Sequence, residues 1–107
     1  MAIEFHEALV DVPVGKGTAA KPRMLEGAVT FSGRVRTASV ALSGFKFDFV
    51  NVPGTNRPMN IIEVTPNLTV RDGREAKFNI MCHYADANFD DVYRGYVKVL
   101  VIADIAE

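Results

Sequence analysis

Alternation of apolar and polar residues dominates the chain, and it is clearest between Ile61 and Tyr84. Two apolar, β-branched-rich runs flank Asp72-Gly73, a dipeptide typical of a tight hairpin loop because glycine tolerates positive φ. In the second run, Lys77, Asn79, Met81 and His83 alternate with wholly or largely apolar residues. Those residues are Ala76, Phe78, Ile80, Cys82 and Tyr84. A period of two is typical of a half-buried strand, so the pattern predicts a hairpin at the centre of an antiparallel sheet.

Shorter runs of the same kind lie on both sides of this hairpin. Ile3 to Val14 favours an extended segment, with a short helix over Glu4 to Val10 as the alternative, and Pro13 suggests an edge strand or a strand end. Further strands are predicted over the segments Met24 to Phe31, Arg34 to Leu42, Phe45 to Phe49 and Gly95 to Ala103. Ser32-Gly33 and Ser43-Gly44 separate three of them as turns or bends.

The sequence therefore predicts an all-β protein, an antiparallel β-sandwich of six to seven strands. With 107 residues, the chain is long enough for one hydrophobic core and too short for two domains. The three phenylalanines of Phe45 to Phe49 are expected to point inward. Arg34 to Leu42 has no strongly polar face, so it is predicted to be a central strand or a subunit contact. The near-continuous apolar run of Gly95 to Ala103 predicts burial on both faces, by the sandwich core and with a neighbouring subunit as a further cover.

Charge and cysteine content narrow the function classes. Twelve basic and thirteen acidic residues leave a net charge of −1, which disfavours nucleic acid and anionic membranes as partners. Cys82 is the only cysteine, so no intrachain disulfide can form, and a buried, inert thiol is expected. No signal peptide or apolar run of about 20 residues is visible, so we expect a protein that is cytoplasmic or released without a classical signal.

No residue pattern indicates catalysis, a cofactor or a metal site. Gly15 to Arg23 is predicted to be a solvated loop, because its GKGT passage completes no phosphate-binding motif. Cys82 and His83 are adjacent on a strand and must point to opposite faces, which excludes a nucleophile–base pair. The acidic segment 86–91 lacks the glycine of an EF-hand loop, which leaves a shallow calcium site or a solvated loop. The chain is therefore expected not to be an enzyme.

Sugar recognition is one reading of the end of the central hairpin. His83 lies in the polar phase of its strand beside Tyr84, with Asp86 and Asn88 just beyond. An aromatic ring beside hydrogen-bonding side chains suits a sugar, because one face of the sugar stacks on the ring and its hydroxyls form hydrogen bonds. An ordinary strand end with polar residues is the alternative.

Four passages of the chain resemble the H-type lectin domain, over about residues 29–104. They are Phe31 with SVALSGFKFD, EVTPNLTVRDG with Phe78, HYADA, and GYVKVLVIAD. They resemble, in turn, the first conserved strand of the family, its N-V-T-x-x-G-F passage, its T-W-x-D-T segment and its closing V-x-W-L-A strand. The resemblance implies a six-stranded antiparallel sandwich that forms a trimer and binds galactose or N-acetylgalactosamine near the subunit contacts.

The resemblance also implies which residues would hold the sugar. His83 or Tyr84 would take the place of the family's tryptophan, and Asp86 matches its aspartate. The family's arginine position falls on the stretch that begins at Asn60, with Arg57 as the nearby arginine, and the chain contains no tryptophan. The expected carbohydrate site therefore consists of Arg57, Asn60, His83, Tyr84, Asp86 and Asn88.

Two functional hypotheses follow. The first is a noncatalytic, carbohydrate-binding homotrimer in which Arg34 to Leu42 and Gly95 to Ala103 pack around the threefold contact. The second is a structural or assembly module that oligomerises without binding sugar, and the missing arginine and tryptophan favour it.

Overall fold

Six β-strands contain nearly all of the described residues. The computed structural model describes residues 2–16, 18, 22–49, 61–85 and 92–106. In chain order the strands are β1 (Ala2–Lys16), β2 (Arg23–Thr30), β3 (Val35–Phe49), β4 (Ile61–Asp72), β5 (Glu75–Ala85) and β6 (Val92–Ile105). Strands are what the period of two predicted, and several of them are longer than the predicted segments.

The strands form two three-stranded antiparallel sheets that pack face to face. The first sheet has the order β1-β6-β3 and the second has the order β2-β5-β4. The all-β, antiparallel prediction is thus confirmed, with a sandwich built from the six strands of the described residues. No helix occurs in this part of the chain, so none there could span a membrane.

The two central strands, β5 and β6, supply most of the core. Their inward side chains alternate strictly with outward ones and are at most 4% exposed. Those inward residues are Ala76, Phe78, Ile80, Cys82 and Tyr84 of β5, and Tyr93, Val97, Val99, Val101, Ala103 and Ile105 of β6. The predicted inward face of β5 and the predicted buried thiol of Cys82 are both confirmed.

The central hairpin forms as predicted, with its loop displaced by one residue. Asp72 pairs with Glu75, so Gly73 and Arg74 are the two loop residues. Gly73 has a φ of 59°, the left-handed conformation that glycine adopts without a Cβ clash. The glycine requirement was therefore identified correctly, while Asp72 belongs to the ladder.

β3 differs from the sequence prediction in two ways. Ser43-Gly44 does not end a strand, since β3 runs from Val35 to Phe49 and only its register shifts between Leu42 and Gly44. Such a bulge absorbs an extra residue without breaking the ladder. β3 is also an edge strand, and β6 is the central one. For Arg34 to Leu42 the central position is therefore wrong, and the alternative of a subunit contact stays a prediction. For Gly95 to Ala103 the predicted burial against the core is confirmed.

The three phenylalanines of β3 do not share one environment. Phe47 stacks on Tyr84 with ring centroids 4.6 Å apart, and it packs against the core. Phe45 is in phase with buried Val97 but is 44% exposed, because it stands at the edge of the sheet. The side chain of Phe49 lies outside the described set.

β1 is a strand, so the helical alternative is wrong. Its backbone pairs with β6 from Ala2 to Lys16, with one register shift between Val12 and Gly15 near Pro13. This pairing satisfies the backbone of β1 and overrides any local helical preference.

Candidate functional site

The predicted carbohydrate site is described only in part. Arg57, Asn60, Asp86 and Asn88 lie outside the described residues, and so does the acidic segment 86–91 with its possible calcium site. His83 and Tyr84 are described. Because Ile61 pairs with Ala85, the chain enters β4 and leaves β5 at the same end of the second sheet.

His83 lies at that end, on the outer face of the second sheet. Its Nδ1 is 2.6 Å from the hydroxyl oxygen of Thr18, so the two groups form a hydrogen bond. Its cross-strand neighbour is Glu63, which puts a carboxylate beside the ring on the same face. The half-buried imidazole is therefore held in place by Thr18 on one side.

Thr18 is 7% exposed, in contrast to the solvated loop predicted for Gly15 to Arg23. Its amide donates to the Tyr84 carbonyl at 2.8 Å, and its hydroxyl accepts from the Tyr84 amide at 2.9 Å. Thr18 thus continues the ladder beside β5 where β2 has ended. A single threonine among glycine, alanine and lysine carries no sequence signal for such a role.

Tyr84 faces the core and is fully buried. Phe47 covers one face of its ring, and Tyr93 meets it nearly edge-on at 5.4 Å and 80°. A sugar cannot reach this ring in the present conformation. Since neighbouring residues of a strand point to opposite faces, the structure places His83 and Tyr84 on opposite sides of β5 and does not bring them to one surface.

Chemically reactive groups are few in the described residues. Nowhere among them do three or more His, Cys, Asp or Glu side chains come close enough to hold a metal ion. Burial raises the pKa of the Cys82 thiol, which disfavours the nucleophilic thiolate. His83 points away from this thiol, as the sequence predicted.

β1 presents its large apolar side chains to the outside. Ile3, Phe5 and Leu9 are 51%, 61% and 55% exposed. Glu4 pairs with Ala103, and His6 pairs with Val101. Because paired residues of a ladder share a face, Glu4 and His6 lie on the inner side of the sheet. Strands of a solitary sandwich normally place polar groups outward, so the first half of β1 has the reverse arrangement.

The inward polar pair of β1 is accommodated by specific contacts. Both carboxylate oxygens of Glu4 accept hydrogen bonds from Ser32, one from its amide at 3.2 Å and one from its hydroxyl. The His6 ring meets Phe31 edge-on at 4.7 Å. These contacts stabilise Glu4 and His6 on the inner face. Because neighbouring residues of a strand point to opposite faces, Ile3 and Phe5 must then point outward.

The outward residues of β1 continue across the first sheet as one surface. Phe5 pairs with Ile102, Glu7 with Leu100 and Leu9 with Lys98, all on the outer face. We call this surface the apolar face of the first sheet and define it by Ile3, Phe5, Leu9, Leu100 and Ile102. Beyond it, β3 adds the small residues Thr37, Ser39 and Ala41.

The outer face of the second sheet is mainly polar. Its central rows carry Glu26, Asn79 and Asn67 as cross-strand neighbours. A cleft of about 450 Å³ on this face is lined by Glu26, Gly27, Ala28, Thr69, Lys77, Phe78 and Asn79. The Oδ1 atom of Asn79 is buried and has no hydrogen-bond partner among the described residues.

Comparisons with protein-family models, with curated proteins and with solved structures found no match for this chain. The resemblance to the H-type lectin domain therefore stays a prediction.

The sequence did not single out the apolar face. Ile3 and Phe5 follow the period of two, but so do Ala8, Val10 and Val12 in the opposite phase. Ile3 and Phe5 are larger than Ala8, Val10 and Val12, and a monomer would be expected to bury the larger side chains. Their exposure is therefore the feature that points to a covered surface. Only pairing with β6 shows which phase faces the core.

Proposed function

We propose that this protein is a noncatalytic β-sandwich module that assembles with copies of itself through the apolar face of the first sheet. The observation that carries the proposal is the reversed arrangement of β1, with Ile3, Phe5 and Leu9 outward and Glu4 and His6 inward. A partner that covers this face would explain the arrangement, because it would remove these apolar side chains from water.

Covering these side chains contributes favourably to the free energy of assembly. Full burial of a large apolar side chain is worth about 1.5–3 kcal/mol. Ile3, Phe5 and Leu9 are each a little over half exposed, so covering them contributes on the order of 1 kcal/mol apiece. Leu100 and Ile102 add to this sum on each copy.

The charges on this surface suit a second copy as the occupant. Glu7 and Asp11 line its β1 side, while Lys98 lies on β6. In a threefold assembly each contact joins two different parts of the surface, so the acidic β1 side of one copy can meet Lys98 of the next. Both segments that the sequence predicted at a threefold contact, in β3 and β6, lie next to each other in this sheet. We therefore propose the homotrimer that the lectin resemblance implies.

The test is the mass of the particle in solution. At roughly 50 µM, sedimentation equilibrium should give about three times the monomer mass of 11.7 kDa. The double variant Phe5→Glu/Leu9→Glu should sediment as a monomer, because it puts like charges into a covered face. Its circular dichroism should remain that of a β protein.

Met24→Glu is the matched control. Met24 is 52% exposed on a strand of the second sheet, so its exposure resembles that of Ile3 and Leu9. The control should keep the oligomer. A monomeric wild-type protein at this concentration, or an unchanged oligomer in the double variant, would contradict the proposal.

Carbohydrate recognition is our second candidate function, and the polar outer face of the second sheet favours it. This face combines a carboxylate, an amide and an ammonium group around the cleft at Asn79. Asn79 lines this cleft, and its amide group is of the kind that hydrogen-bonds to sugar hydroxyls. His83 lies on the same face.

Calorimetric titration with galactose and N-acetylgalactosamine tests this second function. Asn79→Leu should weaken binding at least tenfold if the cleft holds the sugar, whereas His83→Ala and Asp86→Ala should do so if the site implied by the resemblance holds it. Thr65→Val on the same face is the control and should bind as wild type. Absence of heat with both sugars would remove the carbohydrate proposal and leave the assembly proposal standing.

A further inference from the structure

Three arginines converge at the end of the sandwich opposite to His83. An open cavity of about 770 Å³ lies there, between the hairpin loop of the second sheet and the start of β3. Its lining consists of Arg34, Val35, Arg36, Arg71, Asp72, Gly73 and Ala106. We call it the arginine cavity.

Two β-bulges change the phase of the strands beside this cavity. The ladder of β3 shifts between Val35 and Thr37, which leaves Arg36 as the extra residue. The ladder of β4 shifts between Leu68 and Val70, which turns Arg71 into the phase of buried Ala76. Bulges redirect side chains and are over-represented beside functional sites. Without the shift in β4, Arg71 would point to the outer face.

Hydrogen bonds within the first sheet and between the two sheets hold the cavity walls. The Val35 amide donates to the Gly73 carbonyl at 2.8 Å, and the Ala106 amide donates to the Arg34 carbonyl at 2.8 Å. The guanidinium of Arg71 donates across the sheets to the Arg36 carbonyl. These bonds fix the backbone around the cavity, and they hold the guanidinium of Arg71 beside the backbone of Arg36.

Positive charge is in excess within the lining. Asp72 is the one acidic residue there beside three arginines. Arg36 also has Asp104 at 3.9 Å, whereas the guanidinium of Arg34 has no ion-pair partner among the described residues. Like charges that line one cavity repel one another, and a bound anion relieves that repulsion.

We propose that the arginine cavity binds a tetrahedral oxyanion, a phosphate or sulfate group carried by a small molecule. The guanidinium fork matches the oxygens of such a group in a bidentate manner. A planar carboxylate offers two oxygens, whereas a phosphate or sulfate group offers three or four in different directions. Convergence of Arg34, Arg36 and Arg71 from two strands and a turn therefore selects the tetrahedral group.

Nuclear magnetic resonance titration of the ¹⁵N-labelled protein tests the proposal at constant ionic strength. Sodium phosphate and sodium sulfate should shift the amides of Val35, Gly73 and Ala106 saturably, with Kd on the order of 1 mM. Sodium acetate and sodium chloride should leave these amides in place. Equal shifts in all four salts, or shifts spread over the whole surface, would overturn the site.

Two variants and one control localise the effect. Arg34→Gln, whose side chain has no partner to lose among the described residues, should weaken phosphate binding at least tenfold without altering the fold. Arg71→Lys keeps the charge and loses the fork, and it should weaken binding as well. Arg94→Gln, on β6 away from the cavity, should bind as wild type. Wild-type affinity in Arg34→Gln would contradict the proposal.

The source of the oxyanion is distinguished by pH. A phosphomonoester loses charge as the pH falls through about 6, whereas a sulfate ester keeps its charge. Methyl phosphate should therefore bind more weakly at pH 5.5 than at pH 7.5, while methyl sulfate binds equally at both.

Discussion

Replacing Tyr84 with phenylalanine is expected to leave the protein at least as stable as wild type. Tyr84 is 0% exposed, and its ring is held by Phe47 and Tyr93. Its hydroxyl is buried without a hydrogen-bond partner among the described residues. The substitution keeps the ring contacts and removes only this hydroxyl.

The size of the effect follows from two opposing terms. A buried hydroxyl without a partner costs about 1–3 kcal/mol relative to its hydration in the unfolded chain. Removing the oxygen leaves a void smaller than a methyl group, which costs less than about 1 kcal/mol. Tyr84→Phe should therefore raise the free energy of unfolding by roughly 0–2 kcal/mol. In a domain of this size, each kcal/mol raises Tm by about 4–8 °C.

The stability difference should grow in alkaline solution. Burial raises the pKa of the Tyr84 phenol above its ordinary value of 10.0, so the folded state favours the neutral form. The free energy of unfolding of wild type is therefore unaffected by this phenol below pH 10.0, and it decreases as the pH rises from 10.0 through the folded-state pKa. Tyr84→Phe has no group to ionise there, so its advantage over wild type increases.

Urea unfolding followed by far-ultraviolet circular dichroism measures the difference, at one protein concentration for all variants. Tyr96→Phe is the control, because its hydroxyl is on the half-exposed outer side of β6, and it should change stability by less than about 0.5 kcal/mol. A loss of more than about 1 kcal/mol in Tyr84→Phe would show that the hydroxyl has a partner, and the reasoning would be wrong.

Two further predictions concern the backbone contact at β6 and the link between β1 and the turn before β3. A Cβ on Gly95 would lie 2.8 Å from the Lys46 carbonyl carbon, so Gly95→Ala should cost at least about 3 kcal/mol in urea unfolding. Gly44→Ala has open space around the added carbon and should change stability by less than about 0.5 kcal/mol, and equal effects would contradict the packing argument. Hydrogen bonds from the Ser32 hydroxyl and amide lower the pKa of Glu4 below 4.5, so Glu4 stabilises the fold above that pH and loses this effect as the pH falls through its folded-state pKa. The stability difference between wild type and Glu4→Gln should therefore shrink on acidification, and a constant difference would exclude this pairing.

The predicted site and the structure agree only where the alternation of side chains along one strand decides the outcome. Consecutive residues of a strand alternate in direction, which correctly separated Cys82 from His83. The same rule separates His83 from Tyr84, although the resemblance grouped them in one sugar site. The hydrogen bonds of Thr18 to β5 had no local signal, because they join positions more than sixty residues apart.

The arginine cavity shows most clearly what only the folded chain provides. Arg36 and Arg71 belong to different sheets, and two register shifts bring them together. A sequence pattern of period two indicates which neighbours share a face, but a bulge reverses that phase without any residue that marks it. The net charge of −1 likewise does not reveal that positive charge collects at one end.

The sequence by itself determined the strand character of the chain, the position of the central hairpin and the inward face of β5, because these depend on backbone preference and on the spacing of apolar residues along one strand. The order of the strands, the edge position of β3, the outward face of β1 and the meeting of the arginines were decided only in three dimensions. The physical reason is that burial belongs to pairs of surfaces: a strand specifies its two faces, and the strand or sheet that packs against it decides which face is covered.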